Sequence, residues 1–342
     1  MKTIIIPQPG KVEIIESPMP VPQEGEALLK VLRGGICGSD LGTYKGTFAY
    51  ASYPRIPGHE FSAQIVQING DGSKFNLKEG MVVTCNPYFN CNSCYSCQRG
   101  LVNCCEHNET MGAQRDGAFS EYITMPLERI YDGKGLDADV LAAIEPFCIS
   151  YHGAVSRAHA GKGDTVLVIG AGTIGALAAL AAKSQGAKVY IADVAQKKID
   201  YAVECFNLDG GIYNDENFLD KCKEITDGRG FDVTIEAVGL PATFQNAVDA
   251  AAFGARVVLI GVGNKNLDFN FTMLQKKELN VFGSRNALKQ DFINLIDLVK
   301  DGNVNLKKVI TNTYAFVDAA KAFEDFAKHG ADMLKVEIDF TR

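Results

Sequence analysis

Apolar positions follow two rhythms along the chain, and the change comes after about residue 150. Before it, short apolar or alternating runs are separated by Gly, Pro and Asn, a pattern that predicts strands over 3–6, 11–15, 27–32, 63–68, 81–84 and 119–124. From Gly163 onward strand-like and helix-like runs take turns: strand 166–169, helix 174–183, strand 187–192, helix 196–206, strand 231–236, helix 241–251, and strands 255–261 and 280–283. Such alternation predicts a parallel sheet with helices on both faces. Near the end, 290–300 sets Phe292, Leu295, Ile296 and Val299 on one helical stripe, 316–328 predicts another helix, and 334–340 a closing strand. The expected fold class is α/β: an irregular β-rich domain over 1–150, a doubly wound parallel sheet over 151–283, and a segment 284–342 too short to stand alone, which packs back on one of the other two.

Composition narrows the setting. A chain of 342 residues has room for about two domains with full cores. With 22% charged residues and a net charge of −7, it reads as soluble and mildly acidic, with no nucleic-acid surface. The start, MKTIIIPQPGKVEIIE, has two lysines and a short apolar run but no cleavage site, so it predicts a first strand and a cytoplasmic default. Ten cysteines are then reduced thiols or metal ligands, not disulfides. The uncharged run 165–182 just reaches the length of a membrane span, but three glycines at turn spacing inside it argue for no membrane contact.

Those glycines carry the first chemical signal. Gly170, Gly172 and Gly175 form GxGxxG directly after a β-branched strand, and Thr173 and Ile174 open a helix rich in Ala and Leu. The first glycine makes the sharp turn, the second lets backbone approach a pyrophosphate, and the third lets helix pack on strand. Phosphates then meet the helix N-terminus, where free N–H groups favour negative charge. Asp193 ends the next strand, where an acid accepts from the adenosine ribose hydroxyls and repels a 2′-phosphate, so the expected cofactor is NAD. As an alternative, Asp193 is a turn residue capping the following helix.

Two further sets look like metal donors. Cys91, Cys94 and Cys97 recur at CxxC spacing, and a fourth thiol follows at Cys104 or Cys105. Four thiolates close a tetrahedron and leave no position for substrate, so a structural zinc is expected in a lobe over about 88–110. Cys85 and His107 are read as bystanders. The other set is dispersed: Cys37 in GGICGSD, His59 and Glu60 in PGHE, and Glu145 in AAIEPF. One thiol, one imidazole and one or two carboxylates suffice for a zinc with an open position, which acts as a Lewis acid on a bound alcohol.

These motifs, in this order, resemble the zinc-containing medium-chain dehydrogenase/reductase family over essentially the whole chain. The resemblance implies a GroES-like catalytic domain rejoined by the C-terminal segment, a Rossmann domain between, NAD, and two Zn²⁺ per chain. It implies Cys37, His59 and Glu60 as catalytic zinc ligands, Glu145 as a fourth or exchanging ligand, and Ser39 as the first group of a proton relay. Lys198 would contact the adenosine ribose, with a solvated helix lysine as the alternative. Ile260 and Val262 match the loop beside the nicotinamide. Gly42 stands where many relatives have a proton-passing histidine, which leaves the exit step to water.

Glu60 points toward the polyol and threonine dehydrogenase branch. NCCE, GSRN over 283–286 and the following Asp291-Phe292 are most similar to sugar-acid 5-dehydrogenases acting on L-galactonate or L-gulonate. Arg285, with Asn286 beside it, could hold a substrate carboxylate through paired hydrogen bonds. Arg55 and Arg115 are further cation candidates, and for each arginine an ordinary ion pair is the competing role. The expected partner is a small sugar acid or polyol, in a homodimer or homotetramer. L-Threonine 3-dehydrogenase or sorbitol dehydrogenase is the alternative, and a nucleotide-binding protein without turnover is the alternative outside enzymes.

Overall fold

The computed structural model describes all 342 residues, in two compact units: Met1–Glu145 with Leu288–Arg342, and Pro146–Ala287.

The first unit is built on a mixed sheet in the order Ile310–Ala315, Lys335–Asp339, Glu26–Ile36, Glu60–Asn69, Val82–Cys85, Ile130–Asp132, with Tyr122–Pro126 also paired to Glu26–Ile36. The long strand Glu26–Ile36 makes this possible. Its first half pairs with Tyr122–Pro126, and its second half, past a bulge between Val31 and Arg33, pairs antiparallel with Lys335–Asp339. The closing strand therefore completes the sheet that Glu26–Ile36 began. Ile36, Phe61, Ile65, Phe119, Phe323, Val336 and Ile338 lie in one buried cluster. Sequence alternation in Lys335–Asp339 would leave one face to solvent. Instead all five residues are buried, so Lys335, Glu337 and Asp339 sit charged side inward.

The second unit is a six-stranded, all-parallel sheet in the order Gly210–Tyr213, Lys188–Asp193, Thr165–Ile169, Phe231–Glu236, Ala251–Leu259, Asn280–Gly283. In chain order this is the doubly wound arrangement, whose ligands bind at the carboxyl ends of the strands where the order reverses. The uncharged run divides into the five-residue strand Thr165–Ile169, the glycine turn and the twelve-residue helix Thr173–Ser184. No helix is long and apolar enough to cross a membrane. Instead the Ala-rich helix is buried from Gly175 to Ala182 because it lies against the sheet.

Candidate active site

In the first unit, strand ends converge on one donor cluster. Glu26–Ile36 delivers Cys37 directly at its end, Glu60 opens the strand Glu60–Asn69 with His59 just before it, and Lys335 opens Lys335–Asp339. One donor atom each from Cys37, His59 and Glu60 lies within 4.8 Å of the others. Gly35 pairs with Glu60 across the sheet, and a Cβ at Gly35 would stand 2.3 Å from Glu60 Oε2, so glycine is what lets that carboxylate lie flat over the neighbouring strand. Asp40 fixes the loop around the cluster: its carboxylate accepts from the Cys37 N–H (2.9 Å) and the Gly58 N–H (3.0 Å).

The electrostatics of this cluster favour a cation. Asp40, Glu60 and Glu145 are all buried around it with the Cys37 thiol, against His59 and Lys335. Burial pulls His59 down, but the neighbouring Cys37, Asp40 and Glu145 outweigh it and hold the imidazole well above its usual range. Its Nδ1 is buried with no hydrogen-bond partner. An orphaned imidazole nitrogen beside a thiol and a carboxylate fits zinc, which takes such N, S and O donors.

Lys335 is the partner that sequence reasoning missed. Its ammonium donates to both Glu60 oxygens, at 2.7 and 2.5 Å, and to the Ile36 carbonyl at 3.3 Å. Burial pushes Lys335 down, but Glu60, Cys37 and Glu145 together outweigh it and the net shift is upward. Glu145 opens the helix Ile144–Tyr151 and lies outside the three-donor set; its carboxylate accepts a hydrogen bond from the Tyr88 hydroxyl. The structure thus gives Glu145 a phenol as its partner, not a place among the three donors. Burial raises Glu145 to about 7, with the His59 charge opposing the rise.

Ser39 sits half-buried in the first turn of the helix Gly38–Lys45, two residues past Cys37. A Cβ at Gly42, in the same helix, would approach Phe48 Cβ to 3.0 Å, which is why a larger residue is not accommodated there without moving Phe48.

The structure brings four thiols of the CxxC loop together and leaves Cys104 outside them. Cys91, Cys94, Cys97 and Cys105 have their sulfurs within 4.8 Å of one another, whereas Cys104 is exposed. Backbone N–H groups already point at these sulfurs, from Cys94 to Cys91 Sγ and from Cys91 to Cys105 Sγ, each at 3.3 Å. The set fits a structural zinc. Cys85 is buried apart, its thiol pushed up by desolvation alone.

In the second unit each glycine of the turn has a distinct geometry. Gly170 has φ +105°, a region that favours glycine. A Cβ at Gly175 would fall 1.8 Å from the Gly170 carbonyl, and one at Gly172 would meet nothing within 4 Å, leaving open space beside the helix N-terminus. That is a cradle for a pyrophosphate. Asp193 ends its strand beside the turn and accepts from the Ala171 N–H (2.7 Å) and the Ala195 N–H (2.9 Å), so it anchors the turn from the strand end where the sequence predicts an acid. An ionised carboxylate has lone pairs left for ribose hydroxyls. Lys198 is half-buried on the helix Gln196–Phe206; Thr173 and Ile174 begin the helix after the turn.

A second missed residue organises the loops at the carboxyl ends. Glu236, buried, accepts from the Val238 and Gly239 N–H groups and from the Thr243 hydroxyl, at 2.9, 2.8 and 2.7 Å. Its carbonyl takes the Ile260 N–H. Ile260 is buried while Val262 is 93% exposed, so the apolar loop carries one anchored and one free side chain.

The substrate candidates fare differently. Arg285 is exposed just beyond Asn280–Gly283, and Asn286 takes φ 50°. Arg55 pairs with Asp116 at 3.0 Å, and Arg115 stacks 3.7 Å over the Phe89 ring with Glu109 3.8 Å away. Both of these guanidinium groups are occupied by the ordinary ion pairs weighed against a substrate role.

A doubly wound nucleotide cradle in one unit and a Cys–His–Glu donor cluster in the other define a metal-dependent dehydrogenase. The chain belongs to the zinc-binding dehydrogenase family: the alcohol dehydrogenase GroES-like domain matches residues 23–134 and the zinc-binding dehydrogenase domain matches residues 173–301. It is 34% identical to the L-galactonate-5-dehydrogenase of Escherichia coli K12 over 99% of both chains. With an L-threonine 3-dehydrogenase of Pyrococcus horikoshii it shares 31% identity over 95% of its own length and 94% of the relative's. The crystal structure of the RspB alcohol dehydrogenase of E. coli CFT073, complexed with NADH, matches with a TM-score of 0.90 and 32% identity over 99% of both chains.

Proposed function

We propose that the protein oxidises a secondary alcohol of a sugar acid of the L-galactonate or L-gulonate type, or of a related polyol, with NAD as acceptor. The products are the ketone, NADH and a proton. Full-length similarity to an L-galactonate-5-dehydrogenase is the single observation that carries this substrate class. Cys37, His59 and Glu60 would hold the zinc, which would supply Lewis acidity toward the substrate oxygen, and bound NAD would supply the hydride acceptor. Ser39 takes the hydroxyl proton in this reading, and water carries it onward past Gly42. Lys335 orients Glu60 through its two hydrogen bonds. Asp193 selects NAD by accepting from the ribose hydroxyls, Lys198 and Val262 flank the dinucleotide, and Arg285 with Asn286 receives the carboxylate of the sugar acid. Cys91, Cys94, Cys97 and Cys105 hold the structural zinc. A homodimer or homotetramer is part of the proposal, with the edge strand Asn280–Gly283 available for pairing.

L-Threonine oxidation at its 3-hydroxyl is the second reading, favoured by the threonine dehydrogenase relative. A panel of aldonates, neutral polyols and L-threonine, read by NADH absorbance, decides between them. Highest kcat/KM on an L-aldonate supports the proposal; activity confined to threonine overturns it.

A further inference from the structure

Three donors leave zinc an open position, and a fourth protein donor would close it. Glu145 is the group placed to do so. It is buried and feels the charges of both His59 and Glu60, yet it lies outside the donor set, and its carboxylate accepts from the Tyr88 hydroxyl. The position of that phenol is over-determined. Tyr88 lies in the strand Tyr88–Phe89, buried and paired with Glu109–Thr110; its N–H donates to Asn86 Oδ1 at 2.9 Å. Arg129, 8% exposed, braces the same strand. One guanidinium nitrogen donates to the Tyr88 carbonyl, the other to Asn90 Oδ1 at 2.8 Å, and the group lies 4.5 Å over the Phe89 ring. Asn90 in turn approaches Cys97 Sγ at 3.9 Å, so the strand that carries the phenol is also tied to the four-thiol loop.

We propose that Tyr88 is a positioning residue that holds Glu145 off the Cys37–His59–Glu60 set and so keeps open the coordination position that substrate must enter. This rests on reading that set as the catalytic zinc centre. The hydroxyl gives a buried carboxylate a hydrogen bond in place of a metal bond. Without it, Glu145 satisfies its charge by joining the zinc. Arg129 and the four-thiol loop set where the hydroxyl stands, so the structural centre acts on the catalytic one through a single strand.

Cobalt placed in the catalytic position reports its ligand set by visible absorption, since geometry and donor type set the spectrum. Tyr88→Phe should change the cobalt spectrum and slow release of one zinc to a chelator by about tenfold. Kcat should fall with the KM for NAD unchanged, and adding Glu145→Gln should restore the wild-type spectrum and release rate. Glu145→Gln alone should leave the wild-type spectrum as it is, and this arm stands even if Tyr88→Phe fails to fold. A changed spectrum in Glu145→Gln alone makes Glu145 a resident ligand and overturns the proposal. So does a Tyr88→Phe protein with the wild-type spectrum and release rate. A wild-type protein that binds only one metal overturns the zinc reading instead, and an unexpected substrate leaves all of these spectra untouched.

Discussion

Lys335→Met isolates the interaction that most clearly ties the closing strand to the active site. In the native chain the Lys335 ammonium sits 2.5 Å from Glu60 Oε2, with the two side chains 3% and 1% exposed. Removing the ammonium leaves a carboxylate in a site that water does not reach, and breaking a buried pair in this way costs about 3–5 kcal/mol. For a domain of this size each kcal/mol is roughly 2–4 °C, so the first unit should melt roughly 6–20 °C lower once its catalytic metal has been removed by chelator. With zinc loaded the cost should be much smaller, because the metal becomes the counter-charge to Glu60. Lys335→Arg, which keeps the charge, should lie between wild type and Met. Calorimetry on chelated and zinc-loaded samples of all three proteins tests this. A chelated Met variant that melts with wild type would refute the argument, as would equal losses with and without zinc.

Four further outcomes follow from the geometry. Gly175→Ala puts a Cβ 1.8 Å from the Gly170 carbonyl, so calorimetric titration should show NAD binding lost while both zincs are retained. Asp193→Ala should weaken NAD about tenfold or more and narrow the preference over NADP, measured as the ratio of kcat/KM values; an unchanged ratio would remove Asp193 from the ribose site. Arg285→Ala should raise the KM for an aldonate far more than for a neutral polyol, and equal losses on both would sink its carboxylate role. Glu337 supplies a pH test. Burial, with Asp139 and Glu60 adding to it and Arg33 and Lys335 opposing, lifts its carboxyl to about 8, and neither oxygen has a hydrogen-bond partner. Because the folded value lies above the unfolded one, the unfolded chain loses this proton first, and stability falls as pH rises from about 4.5 to about 8. Urea titrations of zinc-loaded Glu337→Gln should show a flatter pH dependence over that window; a slope equal to wild type would contradict it.

How much of this was legible in the chain depends on distance along it. The helix Gln196–Phe206 and the strand Phe231–Glu236 match their predicted limits because both present clear apolar periodicity to the sheet. Gly38–Lys45 escaped because its buried residues are Asp40 and Thr43, so no apolar stripe marks it. Phe218–Ile225 escaped for a similar reason, with only Phe218 and Cys222 buried in a charged segment. The strands Gly210–Tyr213 and Ile310–Ala315 carry few buried positions and were also missed. At the site, Cys37, His59 and Glu60 were readable as ligand types in compact motifs. Lys335 was not, because it reaches Glu60 across 275 residues and its strand reads as half solvent-exposed. Tyr88, Arg129 and Glu236 were hidden in the same way, being ordinary residues whose roles exist only through partners that the fold brings to them.

Zinc content tests the central claim most directly. Purified wild-type protein should hold two zincs per chain, and Cys37→Ser with His59→Ala should hold one and reduce no NAD on any member of the substrate panel. A wild-type chain with a single zinc, or a double variant that still holds two, would contradict the assignment of Cys37, His59 and Glu60 as the catalytic centre.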